Sequence, residues 1–373
     1  MKSAIIPDMK IGIDAFGCDH ARSGSGSYLY NFVANLVPEC DFELFGAEVD
    51  RYTYTSDEHV KFNSVKIAET EKAERKWHKR KCPKFCVRNG YDYVIFPAAD
   101  VYLPKKFPVE SVAVLNTPLS TIFKNRKRSD AKRLKKALNK IQKIAVPSQF
   151  VKTDLMLYGI DESKIAVIRV GIDHKLFFPQ VIDNPEFIDA KPFAIKRPYF
   201  IYSTSLSSYE KNHIQLIKAF TLFKKETGLP HRLVIAGKEG AFAQAVQELA
   251  IESEYASDIL LTGYFPQSSL PMLFSGAEAS LFPAENEGIG FPVIESMACG
   301  VPVLCAESGA LPETGKDVPV YFDAGNEELI AEKMKLIIED TELAQEKAKA
   351  GLELVKEYEW KKTVEEILRF LTK

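Results

Sequence analysis

The regular alternation of short apolar runs with segments of helical periodicity constrains the fold of this chain more than any other feature. The apolar runs of the first half are KIGIDAF (10–16), YDYVIFP (91–97), SVAVLN (111–116), IQKIAVPS (141–148) and KIAVIRVGID (164–173). Those of the second half are YFIYSTS (199–205), RLVIAGK (232–238), DILLTGYF (258–265), ASLFPA (279–284), PVLCA (302–306) and PVYFD (319–323). Such runs are typical of buried parallel strands joined by helical crossovers. The pattern predicts an α/β protein of two doubly wound parallel sheets, with a ligand at the carboxyl ends of the strands.

A Pro-rich stretch without clear periodicity, residues 174–198, separates the two sets of strands, and we interpret it as a linker. A chain of 373 residues is long for one hydrophobic core and sufficient for two domains. After the first strand, RSGSGSYLYNFVANLV (22–37) combines glycines with apolar residues at helical spacing. A glycine-rich turn leading into a helix presents backbone amides to a ligand. The glycines do not complete a dinucleotide fingerprint, which argues against a dehydrogenase.

Composition bounds the compartment. No stretch approaches eighteen consecutive apolar residues, so the sequence predicts no transmembrane helix. The apolar run near the N-terminus is too short and interrupted for a secretory signal. Six cysteines in a chain of this size suggest no disulfide framework, and the reducing cytoplasm is the expected location. His78, Cys82 and Cys86 lie four positions apart but lack a fourth ligand, so we expect no metal site.

The net charge of −2 conceals a segregation of charge. Residues 1–200 hold 33 Lys/Arg against 24 Asp/Glu, and two basic runs, 72–88 and 124–143, are the source of this excess. Three interpretations remain open: solvated helix faces, docking on an anionic membrane surface at the inner face of the cell membrane, and binding of a phosphorylated acceptor. No aromatic residues are interleaved with the charge as a stacking platform, so we expect no nucleic-acid binding.

The stretch ENEGIGFPVIESMACGVPV (285–303) carries two glutamates, Glu287 and Glu295, around a glycine-containing loop. Pro292 suits the start of a helix, which places Glu295 in the first turn and directs it back toward the loop. The amides of residues 288–291 and the helix dipole would form an anion site. Carboxylates beside an anion site are expected to accept hydrogen bonds from hydroxyls, and a nucleotide-sugar offers both hydroxyls and a diphosphate. The alternative is that Glu295 caps the helix and Glu287 is solvated.

The longer stretch EGIGFPVIESMACGVPVLCAESGALPE resembles the E-x7-E signature of retaining glycosyltransferases of family 4, which have the GT-B fold. Other stretches are similar to that family in the expected order. They are RSGSGSYLYNFVANL, VPSQFVKTDLMLYGIDESKIAVIRVGID, YSTSLSSYEKNHIQLIKAF, TGYFPQSSLPMLFSGAEASLFP and WKKTVEEILRFL. The resemblance covers nearly the whole chain and is weakest across residues 40–110. It implies two Rossmann-like domains facing a central cleft.

The resemblance implies a role for individual residues. Glu287 would contact the donor sugar, Glu295 the ribose of the nucleotide, and Lys211 the diphosphate as it leaves, in place of a metal ion. Glu287 and Lys211 are therefore the predicted catalytic residues. The other predicted donor-binding residues are Gly24, Gly26, Asn116, Ser205, Tyr264, Gly288, Ile289, Gly290 and Phe291.

Two positions depart from the family pattern. Ser205 stands where the family often has an arginine on the diphosphate, which would leave more of the charge neutralisation to Lys211. Asn116 and Thr117 stand where the family often has a His-Asp pair, and an amide can bind a hydroxyl but cannot titrate.

The resemblance thus predicts a retaining hexosyltransferase that moves a mannose-like or glucose-like unit without metal or cofactor. The donor would be a nucleotide diphosphate sugar and the acceptor a glycan or a lipid-linked group, in cell-surface polysaccharide or lipopolysaccharide synthesis. We place an acceptor-binding domain at 1–180, a nucleotide-sugar-binding domain at 181–355 and a helix crossing back to the first domain at 356–373. The alternatives are a sugar-phosphate-using phosphorylase or synthase of the same fold, and an inactive sugar-nucleotide-binding protein.

Overall fold

A computed structural model describes residues 9–21, 23–37, 40–55, 60–191 and 193–373. Arg22, at the start of the predicted glycine turn, and most of the N-terminal apolar run lie outside the described residues. The chain forms two compact units: Met1–Gly171 with Glu359–Lys373, and Ile172–Tyr358. The units thus divide at 171/172 and 358/359, where the sequence analysis placed boundaries at 180/181 and 355/356.

The first unit contains a seven-stranded parallel sheet with strand order β3-β2-β1-β4-β5-β6-β7. Its strands are β1 (Lys10–Asp14), β2 (Asp41–Gly46), β3 (Lys61–Ser64), β4 (Tyr93–Phe96), β5 (Glu110–Val114), β6 (Lys143–Val146) and β7 (Ile165–Val167). Strands β1, β4, β5 and β6 are buried over almost their full length, as expected of a parallel sheet covered on both faces.

The helices of this unit include one from the C-terminal end of the chain. They are α1 (Gly24–Ala34), α2 (Glu48–Tyr54), α3 (Glu71–Arg80), α4 (Cys82–Arg88), α5 (Leu119–Asn125), α6 (Arg128–Leu138), α7 (Gln149–Leu157) and α15 (Trp360–Thr372). Two hydrogen bonds from side chains to main-chain carbonyls connect helix α15 to the rest of the unit. Thr363 donates to Arg169 at 2.8 Å, and Lys143 donates to Leu371 at 2.8 Å. Trp360 packs edge-on against Tyr28 of α1.

The second unit contains a six-stranded parallel sheet with strand order β12-β11-β10-β13-β14-β15, and a separate hairpin. Its strands are β8 (Phe187–Ala190), β9 (Phe193–Lys196), β10 (Tyr199–Ser203), β11 (Arg232–Ala236), β12 (Ile259–Gly263), β13 (Ala279–Phe282), β14 (Val303–Ala306) and β15 (Val320–Phe322). Its helices are α8 (His213–Thr227), α9 (Ala243–Glu252), α10 (Leu270–Ser275), α11 (Phe291–Ala298), α12 (Leu311–Gly315), α13 (Glu327–Glu339) and α14 (Thr341–Leu354).

The linker interpretation of residues 174–198 is wrong for the hairpin that β8 and β9 form. Residues of β8 alternate between exposed and buried, and Ile188 and Ile195 are fully or almost fully buried. A Cβ on Gly276 would lie 2.5 Å from the side chain of Ile188, so the hairpin packs closely on the turn after α10. Each strand has only four residues and lies among prolines, so the alternation of exposed and buried positions covers too few residues to be detected in the sequence.

Both parallel sheets reverse their strand order at one point. In the first sheet β1 neighbours both β2 and β4, and in the second β10 neighbours both β11 and β13. Ligands of open α/β sheets bind outside the carboxyl ends of the strands at such a point. In the described part of the chain, no helix is long and apolar enough to cross a membrane.

Candidate active site

Lys211 lies on the connection between β10 and α8, at the end of a single 3₁₀ turn, Tyr209–Lys211. The buried Tyr202 at the end of β10 donates a hydrogen bond to the carbonyl of Lys211 at 2.7 Å. Asn212 follows in the left-handed region, with φ +52°, and its amide donates to the carbonyl of Pro283 at 2.9 Å. The backbone around Lys211 is therefore tied to its own strand and to the end of β13.

The loop that carries Glu287 is bonded to the loop that carries Lys211. The backbone amide of Glu285 donates to the carbonyl of Glu210 at 2.7 Å, and the side chain of Asn286 donates to the Glu210 carboxylate at 3.3 Å. Lys211 Nζ forms an ion pair with Glu287 Oε1, and each side chain is about one-fifth exposed. The structure thus brings the two predicted catalytic residues into direct contact at the β10–β13 reversal of strand order.

A third segment supports the Glu287 loop from the side of β14. The carbonyl of Glu287 accepts a hydrogen bond from the backbone amide of Ala310 at 2.9 Å. Gly309, with φ +63°, approaches so closely that a Cβ there would lie 2.8 Å from the Glu287 nitrogen. Glycine is required at this position both for its dihedral angle and for the approach.

The predicted backbone-amide segment runs from Gly288 to Phe291 and ends in helix α11. Gly290, with φ +82°, is the residue before the helix, and a Cβ there would lie 2.5 Å from the Leu311 side chain. Ile289 is buried, and its carbonyl accepts a hydrogen bond from the Thr314 hydroxyl. No side chain caps the start of α11, so its first turn presents the positive end of the helix dipole at the loop.

The prediction that Glu295 occupies the first turn of this helix is wrong. Helix α11 begins at Phe291, four residues earlier, and its first turn holds no acidic residue. Glu295 is only 8% exposed, and its carboxyl hydrogen-bonds the side chain of Gln267 on the connection after β12. Burial raises the pKa of Glu295 to about 7, partly offset by the bond to Gln267. This carboxyl is therefore balanced between its neutral and ionised forms near neutral pH, where the sequence analysis assumed the ionised form.

Ser205 and Tyr264 lie on connections after β10 and β12, two strands of the same sheet that are separated by β11. Ser205 follows β10, and its hydroxyl is 2.9 Å from the hydroxyl of Ser207. Tyr264 follows β12 and is 52% exposed. The β10 and β11 connections approach closely there, since a Cβ on Gly237 would lie 1.8 Å from the carbonyl oxygen of Thr204.

His213, which sequence analysis did not single out, opens helix α8 beside Lys211. Its ring packs on Tyr202 with centroids 5.0 Å apart, and the residue is buried. Burial, with repulsion from Lys211, lowers the pKa of His213 to about 4. The ring is therefore neutral at physiological pH and adds no charge to the site.

The two predicted glycines of the first unit differ in their surroundings. Both lie in the first turn of α1 rather than before it, and Ser23 caps the helix by accepting from the Gly26 amide at 3.1 Å. A Cβ on Gly26 would lie 2.0 Å from the carbonyl oxygen of Cys18, whereas nothing lies within 4 Å of one on Gly24. Gly26 is needed for packing within its own loop, and Gly24 faces open space.

Asn116 lies two residues beyond β5, and neither polar atom of its amide has a hydrogen-bond partner within the described residues, although both are buried. Its neighbour Thr117 donates to Asp100, which follows β4, at 3.3 Å. Asp100 also receives a hydrogen bond from Ser25 of the glycine segment, and Arg126 lies 3.6 Å from it. Burial raises the pKa of Asp100.

Sequence reasoning missed several residues that shape these two edges. They are Glu210, Asn286, Gly309 and Gln267 in the second unit and Asp100 in the first. Asp100 had a detectable signal, an acidic residue four positions after the end of a buried strand. The others act on partners far away in the sequence, and their type alone carries no signal.

A family model described as "Glycosyl transferases group 1" matches residues 183–371. The chain belongs to this family. A second family model, "Glycosyltransferase Family 4", matches residues 22–176. The protein is therefore a glycosyltransferase, as the resemblance predicted.

Two relatives illustrate the range of similarity within the family. O-antigen chain mannosyltransferase B of Escherichia coli is 23% identical over 282 residues, which cover 74% of this chain and 73% of that protein. O-antigen chain mannosyltransferase RfbU of Salmonella typhimurium is 25% identical over 195 residues, covering 52% of this chain and 50% of that protein. The alignment thus spans only half the length of the second relative.

Solved structures of the same fold include HepE of Anabaena in complex with UDP and glucose. It superposes with a TM-score of 0.75 at 15% identity, over 98% of this chain and 99% of that chain. The likeness confirms the GT-B fold class, with two Rossmann-like units in this glycosyltransferase.

Proposed function

We propose that this glycosyltransferase is a retaining hexosyltransferase that uses a nucleotide diphosphate sugar as donor. The contact between Lys211 and Glu287 carries the proposal, because it places a cation and a hydroxyl acceptor at the carboxyl edge of β10 and β13. Such an edge is where α/β sheets bind nucleotides. The uncapped first turn of α11 adds backbone amides and a positive dipole for the diphosphate.

Lys211 stabilises the diphosphate as negative charge develops on it. The lysine exchanges its contact with Glu287 for the phosphate oxygens, while Glu287 accepts hydrogen bonds from the donor sugar hydroxyls. Transfer then needs no metal ion or cofactor, because Lys211 supplies the positive charge. Ser205 and Tyr264 flank the same edge and line the donor.

In the step we propose, the bond between the anomeric carbon and the diphosphate oxygen breaks while the acceptor oxygen bonds to that carbon on the same face. The acceptor hydroxyl proton passes to the departing diphosphate oxygen. The products are a glycoside with retained configuration and a nucleoside diphosphate. Glu287 orients the sugar and stabilises the developing positive charge on its ring without forming a covalent bond.

Glu295, on α11, recognises the ribose of the nucleotide. An ionised carboxylate accepts hydrogen bonds from two vicinal hydroxyls, and Gln267 holds the carboxyl in place. Because burial raises its pKa to about 7, we expect nucleotide affinity to increase as pH rises through about 7.

The resemblance also assigns Asn116, whose amide is unpaired within the described residues, and Gly24 to donor binding. Asn116 can bond a sugar hydroxyl, and Gly24 has the open space for a phosphate to approach the backbone. The acceptor is a glycan or a lipid-linked group, and the transferred unit is mannose-like or glucose-like. Two O-antigen mannosyltransferases among the relatives support a role in cell-surface polysaccharide synthesis.

A donor-consumption assay tests the proposed function. A thermal-shift panel of GDP, UDP and ADP forms first identifies the base, since bound ligand stabilises the folded chain by mass action. Consumption of the matching nucleotide-sugar is then measured with EDTA, comparing the native chain with Glu287→Ala and Lys211→Ala. Exposed Lys225 on α8 provides the control Lys225→Ala. We expect both site variants to lose activity and the control to keep it; equal activity in all four proteins would overturn the proposal.

A further inference from the structure

The two basic runs of the sequence meet in one groove on the first unit. A cavity of about 580 Å³ lies between helices α3 and α6 and the connection after β4. Seven of its 17 lining residues are Lys or Arg, and three are Asp or Glu. We call this cavity, together with the smaller one described below, the basic groove. Its volume is that of a ligand site.

The acidic side chains of the groove are all used to orient its arginines. Arg75 pairs with Glu71 and, at 2.9 Å, with Asp130. Arg133 pairs with the other oxygen of Asp130 at 3.1 Å. Arg126 lies 3.6 Å from Asp100, the third acidic residue that lines the cavity. The negative charge of the groove is therefore already engaged with protein cations.

The four lysines that line the cavity have no such partners. Lys72, Lys79, Lys105 and Lys127 form no ion pair within the described residues. Repulsion from Lys79 is the largest cause that lowers the pKa of Lys105, and Arg133 adds to it. Like charges held this close leave an excess of positive charge that an anionic ligand would neutralise.

A second, adjoining cavity of about 360 Å³ shares Lys105 and Arg133 as a wall. Five of its nine lining residues are Lys or Arg, and none is acidic. Three of the lysines, Lys132, Lys136 and Lys140, follow one another at a spacing of four, along one side of α6 and just past its end. The positive charge thus extends over a distance longer than one phosphate group requires.

The groove leads to the carboxyl edge of the first sheet. Asp100 lines it and hydrogen-bonds both Ser25 and Thr117, which lies next to Asn116. A ligand with its charged end among the lysines would therefore extend toward the residues that we place at the donor. A concave cavity suits a discrete charged group, whereas a flat bilayer surface needs a convex or planar patch.

We propose that the basic groove binds the diphosphate group of the acceptor, held between Lys79, Lys105 and Arg133. The proposal rests on the proposed function, because it treats the bound molecule as the acceptor. Two linked phosphates carry more negative charge than one, and the unpaired lysines of both adjoining cavities can neutralise it. Free and lipid-linked diphosphates present the same group, and the groove recognises that group in either source.

Binding of inorganic pyrophosphate, measured by calorimetry on the full chain at low salt, tests the proposal. The measurements are made in the Lys211→Ala background, which removes the cation of the donor loop. Lys79→Ala with Lys105→Ala removes two groove cations. Lys76→Ala with Lys106→Ala removes two exposed lysines that neighbour them in sequence and line neither cavity. We expect the first pair to weaken pyrophosphate binding about tenfold or more and the second to leave it unchanged.

Two further measurements separate the sources of phosphate and the two proposals. A soluble prenyl diphosphate should compete with pyrophosphate in the control pair. Its affinity should be lower in the groove pair, by the same factor as the affinity for pyrophosphate. Nucleotide binding, measured by thermal shift in the chain with Lys211 intact, should be equal in both pairs. If the native chain binds no nucleotide, that result would contradict the proposed function but not the groove proposal.

Equal pyrophosphate affinity in the two pairs of variants would overturn the groove proposal. If the groove pair alone then also loses binding to phosphatidylglycerol vesicles, compared with phosphatidylcholine vesicles, the occupant is an anionic membrane surface.

Discussion

Lys211 and Glu287 form an ion pair across 76 positions of the chain, because their loops follow two strands that pair side by side. Glu210 and Asn212, on either side of Lys211 in the sequence, both form hydrogen bonds with the segment that precedes Glu287. The cation and the carboxylate are therefore positioned by backbone that is fixed in advance, which is the condition for electrostatic stabilisation of a transition state.

We expect the two residues to act as a unit in catalysis. Lys211→Ala or Glu287→Ala alone should lower kcat/KM by about 10²–10³-fold, as loss of a preorganised electrostatic group does. The double variant should lose little more than the worse single variant, because both residues stabilise the same step, the departure of the diphosphate from the sugar. Steady-state release of nucleoside diphosphate measures the three values. Losses that multiply would show that the residues act independently.

Gly309→Ala should destabilise the Glu287 loop in particular. Gly309 and Gly228 both have φ +63°, so alanine costs about 1–2 kcal/mol of conformational strain at either position. Only at Gly309 would the new Cβ meet the backbone of Glu287, since nothing lies within 4 Å of one on Gly228. The free energy of unfolding, measured with urea, and kcat should therefore both be lower for Gly309→Ala than for Gly228→Ala. Equal effects of the two substitutions would exclude the contact as the cause.

Asn212 combines two properties that can be tested separately. Asn212→Gly adopts the left-handed backbone without strain but loses the bond to Pro283. Asn212→Ala loses the same bond and is also strained in that conformation. We expect Asn212→Gly to lower stability by about 1 kcal/mol through the lost hydrogen bond. Asn212→Ala should cost about 1 kcal/mol more, through strain. Both should reduce kcat; a variant with native kcat would show that this bond does not position Lys211.

Much of the second unit could be predicted from the sequence, because its parallel strands are short, apolar and bounded by turn residues. The strand ASLFPA and the helix after Pro292 were placed correctly, and so were the loops that carry Lys211 and Glu287. The contact between these loops follows from the pairing of β10 with β13, which a single sequence does not reveal. The bonds of Glu210 and the approach of Gly309 are tertiary for the same reason.

The first unit was harder to predict between residues 40 and 110. Strands β2 and β3 and helices α2 to α4 lie there, and β3 is largely half-exposed, so its apolar pattern is weak. Charge runs are visible in sequence, but their convergence in one groove depends on how α3 and α6 pack. The titration of Glu295 likewise depends on burial by neighbours that its own motif does not include.

Gly24→Ala and Gly26→Ala should have opposite effects. Alanine at Gly24 meets nothing within 4 Å and favours the helix, so stability should be unchanged or rise by about 0.5–1 kcal/mol, while donor KM increases. Alanine at Gly26 would lie 2.0 Å from the Cys18 carbonyl oxygen and should destabilise the unit. Thermal unfolding measures the stability of both variants, and steady-state kinetics measures their KM for the donor. A native KM in Gly24→Ala would remove this residue from the donor site.

The pH dependence of stability should carry the signature of Glu295. Its carboxyl has an ordinary pKa of 4.5 in the unfolded chain, and burial raises the pKa to about 7 in the folded chain. Between these values the folded state binds more protons, so the free energy of unfolding falls as pH rises. The contribution is complete below pH 4.5 and is lost as pH passes through about 7, a change of the order of 3 kcal/mol.

Glu295→Gln removes this titration while keeping the shape of the side chain. Urea unfolding of the native chain and of the variant, at several pH values from 5 to 8, should therefore give curves that converge or cross. The buried histidines His213 and His231, whose pKa values burial lowers to about 4, titrate alike in both proteins and cancel in the difference. Exposed Glu252→Gln is the matched control. Parallel curves for Glu295→Gln would show that Glu295 is ionised throughout, as the sequence analysis assumed.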